Sequence, residues 1–325
     1  MDTAAIELAH RLADKLHQVM PQYKVDTLPE PFTFRHTLRY FKAVLTGKNQ
    51  SLKLILRQSE TLEAHQREQC VYTEILPHLS IRTPHLWASF TLTPEDTHWL
   101  VLEAVEGTAS SGCCIEDRAR ILSLIGQLHR DGIRLRTAAS SAPAYIFDPH
   151  SARHQRWIAA LEQGLAEPSF NLKPWIVPLL KKVLHLIESI PVTLLHGDLD
   201  LSNILLGEEV ILIDWEKCCY GPLCLDLGEL MDHVGAPGEW ENYRSALYPS
   251  SISSLSLDEV IFYAEVGWAY RLYLDVCSYV YASLKGKAPS PQWRENYYAP
   301  SLIKLGQIHH KLMDVASCEG VAKNE

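Results

Sequence analysis

From Leu194 to Glu216 the chain reads L-L-H-G-D-L-D-L-S-N-I-L-L-G-E-E-V-I-L-I-D-W-E. Two apolar, β-rich runs, Ile204 to Leu206 and Val210 to Ile213, flank Gly207, Glu208 and Glu209. Such runs around a short turn containing glycine form a β-hairpin. Pairing centred on Glu208 and Glu209 sets Leu206 against Ile211 and Ile204 against Ile213. Asn203 then faces Asp214 at the open end. Directly opposed residues bring their Cβ atoms to about 5 Å. An amide oxygen and a carboxylate at that spacing can share a hard cation, and Mg²⁺ takes few protein oxygens and leaves the rest to phosphate and water.

Asp198 lies five residues before Asn203, in the loop after the apolar strand Val192 to Leu195. A carboxylate there can accept a proton from a hydroxyl. One Asp as base, with an Asn and a later Asp on metal, is the division of labour of phosphoryl transfer. Any one Asp–Asn pair is more often a capped turn; the complete string is far more specific.

The string resembles the H-G-D-x-x-x-x-N and I-D-W-E motifs of the aminoglycoside phosphotransferase and choline kinase family. The resemblance implies an α+β, bilobal protein-kinase-like fold: a small N-terminal antiparallel sheet with a helix, then a larger, mostly helical C-terminal lobe. It places the lobes at residues 1–103, binding nucleotide, and 104–325, holding the catalytic and acceptor residues. It implies Asp198 as catalytic base, His196 as organiser of its loop, and Asn203 and Asp214 as Mg²⁺ ligands. Downstream, G-P-L-C-L-D-L-G-E-L from Gly221 to Leu230 is similar to the family's G-P-x-x-x-D-L-A stretch, with Asp226 structural.

In the first lobe, residues 32 to 58 form a meander with a turn at Thr46 to Asn49. Ser51 to Gln58 is a strand with Lys53, Ile55 and Arg57 on one face. Thr61 to Leu79 is helical, and its R-E-Q-C-V-Y-T-E-I-L run is similar to the family's R-E-x-x-x-L helix, pointing to Glu68. A kinase needs a cation on the third strand for the phosphates and a Glu on the next helix to orient it. Lys53, six residues after Gly47 as in many family members, is the candidate held by Glu68; Arg57, on the same face, is its competitor. The strand W-L-V-L-E-A-V-E-G from Trp99 supplies the hinge, where adenine would bond to backbone near Glu103 and Val105. One departure stands out. Between the first two strands the family carries a Gly-rich loop, whereas P-F-T-F-R-H-T-L-R-Y-F here has no glycine. Glycines let backbone amides approach phosphates; Thr33, Arg35, His36 or Thr37 would have to substitute. A catalytically silent binding module with this fold therefore stays open beside the enzyme. A protein kinase is disfavoured, since no A-P-E-like segment follows Asp214 and I-D-W-E replaces D-F-G.

In the second lobe, Ile115 to His129 is an amphipathic helix. Residues 131 to 150 form a connection, and 151 to 166 and 175 to 189 are helices. Leu257 to Leu284 is a long helical region carrying Tyr263, Trp268, Tyr270, Tyr273, Tyr279 and Tyr281, as core packing or as an aromatic cage.

With 325 residues the chain can bury a sizeable core. A net charge of −9 argues against nucleic acid as a main partner. The charge is uneven: Leu225 to Asp275 holds nine Asp and Glu against two Arg and no Lys. An acidic wall there would attract a cationic acceptor such as an aminoglycoside or a choline-like amine, with Glu265, Asp275, Asp200 and Glu216 as candidate contacts; a solvated acidic surface is the simpler alternative. The eight cysteines have no metal spacing, no apolar window reaches a membrane span, and the first twenty residues form an amphipathic helix. The expectation is a cytoplasmic small-molecule kinase, with neither nucleic acid nor membrane as partner, using ATP or GTP with Mg²⁺.

Overall fold

The computed structural model describes residues 3–35, 38–48, 50–93, 96–110, 114–138, 146–234, 236–248 and 255–318. In chain order its elements are α1 (Thr3–Val19), β1 (Lys24–Val25), β2 (Glu30–Arg35), β3 (Leu38–Thr46), β4 (Ser51–Ser59), α2 (Leu62–Cys70), β5 (Leu86–Leu92), β6 (Thr97–Glu103), β7 (Thr108–Ala109) and α3 (Ile115–Ala138). There follow α4 (Ala152–Gly164), α5 (Ile176–Glu188), β8 (Val192–Leu195), β9 (Ile204–Leu206), β10 (Val210–Leu212), β11 (Cys219–Pro222), α6 (Cys224–Leu230), α7 (Trp240–Leu247), α8 (Leu257–Leu284), α9 (Pro291–Trp293) and α10 (Ala299–Cys318). They fall into two compact units: Met1–Cys113 with Ala139–Ala144 and Leu201–Cys218, and Cys114–Ala138 with Tyr145–Asp200 and Cys219–Glu325. Among the described residues no helix is long and apolar enough to cross a membrane.

The first unit is built on an antiparallel sheet of order β1-β3-β4-β6-β5, with β2 also paired to β3. Alternation sorts its side chains. Phe41, Ala43, Leu45, Leu54, Leu56, Trp99 and Val101 pack with Leu8, Leu12 and Leu16 of α1 in one buried cluster. The opposite face of β4 carries Arg57, itself buried, and α2 lies against β4 and β6. The helical stretch after Thr61 is α only to Cys70. It continues as a π-turn over Val71–Ile75 and a 3₁₀ turn over Leu76–His78. His36 and Thr37, two of the residues expected to stand in for the missing glycines, lie outside the described residues.

The expected hairpin forms as β9 and β10, but its register differs by one. Leu206 pairs with Val210, Leu205 with Ile211 and Ile204 with Leu212. Three residues make the connection, closed by the Gly207 amide donating to the Glu209 carbonyl at 3.1 Å. A three-residue turn in place of a two-residue one moves every pair by one position, which reverses the faces. Asn203 therefore faces Ile213, whose amide donates to the Asn203 carbonyl at 3.0 Å, and Asp214 lies one residue beyond the ladder. β7 adds a third strand against β9.

In the second unit α3 runs on to Ala138, nine residues past His129, through the start of the stretch expected to be a connection. β8 pairs with β11, and α6 crosses α8. Ser256 and Glu259 form a reciprocal capping box that starts α8 at Leu257. The α6–α8 crossing rests on Gly228 and Gly267. A Cβ added at Gly267 would lie 1.7 Å from the Cys224 carbonyl oxygen, and one at Gly228 would lie 2.2 Å from the Gly267 carbonyl carbon. Even one methyl group must force the helices apart. Overpacking of this kind costs about 1–3 kcal/mol, so Gly267→Ala should lower Tm by several degrees in a thermal melt. An unchanged Tm would disprove the close crossing.

Candidate active site

The first unit gathers a charged cluster around Arg57. Its Nη1 donates to Glu68 on α2, its Nη2 donates to Glu216, and its Nε lies 3.3 Å from the Tyr40 hydroxyl oxygen. Nη2 is also 2.9 Å from Asp214 Oδ1. That contact is an ion pair; Asp214 Oδ1 is buried and accepts no hydrogen bond of good geometry among the described residues. The side chains of Arg57 and Glu68 are 4% and 1% exposed, so this ion pair is shielded from water. Burial opposes the guanidinium charge, but Glu68 and Asp214 outweigh it and hold the Arg57 pKa well above its ordinary value. Glu68 is pushed up to about 7, chiefly by burial, with Asp214 and Glu216 adding to the rise against the pull of Arg57.

The expected pairing of Lys53 with Glu68 does not form. Lys53 is exposed and pairs with Glu106 at 2.7 Å. Lys53 and Arg57 share a strand face but are separated by four residues, about 13 Å of strand; Glu68 lies against Arg57. At the expected hinge, the Glu103 carboxylate accepts from Arg82 and from the His85 amide. The backbone N–H groups of Glu103 and Ala104 are taken by the carbonyls of His85 and Lys53 at 2.8 and 2.9 Å. Among the described residues no hydrogen bond claims the backbone of Val105.

Asp214 adopts a left-handed conformation, φ 68° and ψ 64°. Asp is among the few non-glycine residues that tolerate it. From this turn its side chain reaches Arg57. Behind it Trp215 is fully buried and its indole donates to the Leu212 carbonyl at 3.2 Å, fixing the turn. Asn203, 3% exposed, ends a 3₁₀ turn leading into β9.

The second unit carries the loop of Asp198. Asp226 on α6 is fully buried and shapes that loop: one carboxylate oxygen accepts from the His196 amide at 2.8 Å, the other from the Gly197 amide at 3.0 Å. His129 Nε2 lies 3.2 Å from Asp226, and its Nδ1 lies 2.8 Å from the Tyr243 hydroxyl. Burial would raise the Asp226 pKa, but His129 and the Gly197 amide hold it below the usual carboxylate value. Gly197 has φ 80°, and Leu199 is fully buried, so the loop bends at one end of Asp198 and is anchored at the other. The Asp198 carbonyl accepts the Asp200 amide at 2.8 Å, and Asp198 itself is partly exposed.

The acidic stretch from Leu225 to Asp275 is largely neutralised within the chain. Arg271 lies 2.9 Å from both Glu229 and Asp275, and the latter also accepts from Ser301 at 3.0 Å. Lys311 pairs with Glu265, Lys304 with Asp232, Arg118 with Glu239 and Arg244 with Glu241. With Asp226 on the loop and Glu259 in the capping box, Asp258 is the one acid of the nine for which the described residues provide no partner.

In donor chemistry alone, Asn203 and Asp214 are of the type a hard divalent cation takes. Both offer oxygen, and Asp214 Oδ1 is a buried carboxylate oxygen whose charge is met by Arg57 at 2.9 Å but which accepts no hydrogen bond among the described residues. Three carboxylates also surround one guanidinium, so the ionised cluster carries two excess negative charges. Among the described residues no group of three or more His, Cys, Asp or Glu is arranged to hold a metal. A two-ligand site leaves the other positions to phosphate and water, as Mg²⁺ prefers.

The Glu68 pKa gives a pH dependence. Its folded value of about 7 exceeds its ordinary 4.5. Between the two the folded state binds more protons than the unfolded one, so stability falls as pH rises. Glu68→Gln removes this titration. Denaturant unfolding should show wild type losing stability relative to that variant from about pH 4.5 to about pH 7, and no further above; parallel pH curves would refute it.

Residues 41–248 match the model of the phosphotransferase enzyme family. Among curated proteins none matches the chain. Among solved structures, a GDP complex of an aminoglycoside 2'-phosphotransferase superposes with TM-score 0.62 at 11% identity, over 92% of this chain and 96% of that one. A choline kinase from Cryptosporidium parvum Iowa II gives TM-score 0.60 at 13% identity, over 95% and 98%. A macrolide 2'-phosphotransferase from Brachybacterium faecium gives TM-score 0.59 at 17% identity, over 91% and 98%. At these identities the likeness is one of fold, and the fold is that of the aminoglycoside phosphotransferases and choline kinases. With the family model spanning well over half of its length, the chain belongs to the phosphotransferase enzyme family.

Proposed function

We propose that this protein transfers the γ-phosphoryl group of ATP or GTP to a hydroxyl group of a small molecule. The buried Arg57–Glu68 pair carries the reading: strand cation and helix glutamate are the two parts that hold a nucleotide's phosphates in kinases. Arg57, which reaches Asp214 as well, takes the role that the spacing from Gly47 had given to Lys53. Adenine or guanine binds the Val105 backbone. Asn203 and Asp214 would hold Mg²⁺, which when bound would supply positive charge against the nucleotide's phosphates. Asp198, oriented by the Asp226-clamped loop, accepts the hydroxyl proton as the oxygen attacks the γ-phosphorus and the diphosphate leaves. Catalysis is mainly positioning and electrostatics.

Asp198→Ala should lower kcat by orders of magnitude while the Asp226 clamp and the buried Leu199 still hold the loop, so the variant stays folded in a thermal melt. Turnover close to wild type would remove Asp198 as base. A wild-type protein with no Mg²⁺-dependent nucleotide binding and no hydrolysis would favour the silent module instead.

Aminoglycoside- and choline-like cations remain acceptors to assay, but the acidic stretch gives them weak support because its carboxylates are already paired. Acceptor recognition should therefore depend little on long-range charge. Assayed with each active acceptor of a panel of aminoglycosides, choline, macrolides and sugars, KM should change less than about threefold between low and high salt, since paired charges leave little net long-range field for salt to screen. A steep rise of KM with salt would restore the acidic wall.

A further inference from the structure

One hydroxyl beside the charged cluster has its oxygen engaged and its proton uncommitted. Tyr40 is the third residue of β3 and pairs with Arg57 of β4 on one side and with Thr33 of β2 on the other. Directly opposed residues share a sheet face, so the alternation that sends Phe41, Ala43 and Leu45 into the core sets Tyr40 beside Arg57. Nε of Arg57 donates to the Tyr40 oxygen at 3.3 Å, and among the described residues no group accepts the Tyr40 proton. Resting on the function proposed above, we propose that Tyr40 is a phosphate-binding residue: its hydroxyl donates to the β-phosphate of the nucleotide, a contact that backbone amides of a glycine-rich loop would otherwise make.

The position and the chemistry of the phenol both favour this role. From Pro31 to Phe41 the hairpin of β2 and β3 has no glycine. A side-chain donor on a paired strand needs neither a positive φ nor a close approach of backbone to phosphate, the two things glycine supplies. A phenol oxygen accepts one hydrogen bond while its proton makes another. Nη1 and Nη2 of Arg57 serve Glu68 and Glu216 and Nε ends on Tyr40, so at the Nε edge the donor presented is the phenol. Burial raises the Tyr40 pKa, and Asp214 and Glu216 add to the rise against the pull of Arg57, so the hydroxyl keeps its proton at neutral pH. Tyr40 is half-buried, neither sealed in the core nor loose in solvent. A hydrogen bond from it to a phosphate is charge-assisted, about twice as strong as one between neutral groups.

The test is calorimetric titration with ADP and with adenosine, both in the presence of Mg²⁺. Tyr40→Phe, which keeps the ring, should weaken ADP about tenfold, the loss of one charge-assisted hydrogen bond, and leave adenosine within about twofold. In an Arg57→Lys background the loss on Tyr40→Phe should persist, because the phenol touches the phosphate itself; its disappearance there would make Tyr40 a support for the guanidinium and overturn the inference. If Arg57→Lys does not fold or bind ADP, tyrosine labelled with ¹³C at Cζ replaces that arm. The resonance missing from Tyr40→Phe should move on addition of ADP and stay in place on addition of adenosine, and a resonance that ADP leaves unmoved would overturn the inference. Equal ADP affinity in wild type and Tyr40→Phe would overturn it alone, as would a loss falling equally on adenosine. A wild-type protein that binds no ADP would overturn the phosphotransfer reading together with it.

Discussion

The buried guanidinium of Arg57 is the interaction on which the first unit's charged cluster depends. It joins strand β4, helix α2 and the turn after β10, three segments far apart in sequence, through one planar group. A charge this buried is tolerable only because acids surround it, and the acids are tolerable only because it is there. The balance is incomplete: one positive group among three carboxylates leaves the cluster short of positive charge. A lone ion pair would balance its own charge, whereas this cluster keeps a surplus of negative charge.

The second unit solves a different problem with the same means. The Asp226 carboxylate gives both oxygens to consecutive backbone amides, so one side chain sets the path of the loop through His196 and Gly197. His129 holds the other side of that carboxylate and is held in turn by Tyr243. A buried anion that accepts this many donors stays ionised, as its lowered pKa reflects. The precision of the loop therefore comes from α6 and α3, neither of which contributes a reacting group.

Much of this was legible in the sequence, and the failures have identifiable causes. Periodicity located α1, α2, α8 and the hairpin, because each has an amphipathic pattern or a turn signal of its own. The hairpin register was misjudged because Gly207, Glu208 and Glu209 suit a two- or three-residue turn equally, and one residue decides the face. Asp214 reaches Arg57 from a bend that pairing cannot reveal, its positive φ. The choice between Lys53 and Arg57 was undecidable from alternation, since both lie on one face; it depends on where α2 crosses the strand. The extension of α3 to Ala138 crosses residues with weak pattern, buried at Asp131 and Gly132 and half-buried or exposed from Ile133 to Arg136, so no periodic apolar face marks it. The acidic stretch misled in another way: its partners lie as far away as Arg118 and Lys311, and composition cannot count pairs that distant.

The left-handed backbone at Asp214 separates two requirements that usually coincide. Gly, Asn and Asp suit that geometry, so the position is restricted by conformation before any chemistry is asked of it. An Asp retained there in a distant member of the family could report the bend as much as the reaction. An alanine substitution would strain the chain and remove the carboxylate together, confounding the two. Asparagine keeps the bend and an oxygen while discarding the charge, and glycine keeps the bend alone. Those two replacements, side by side, would separate what the turn needs from what the phosphates need.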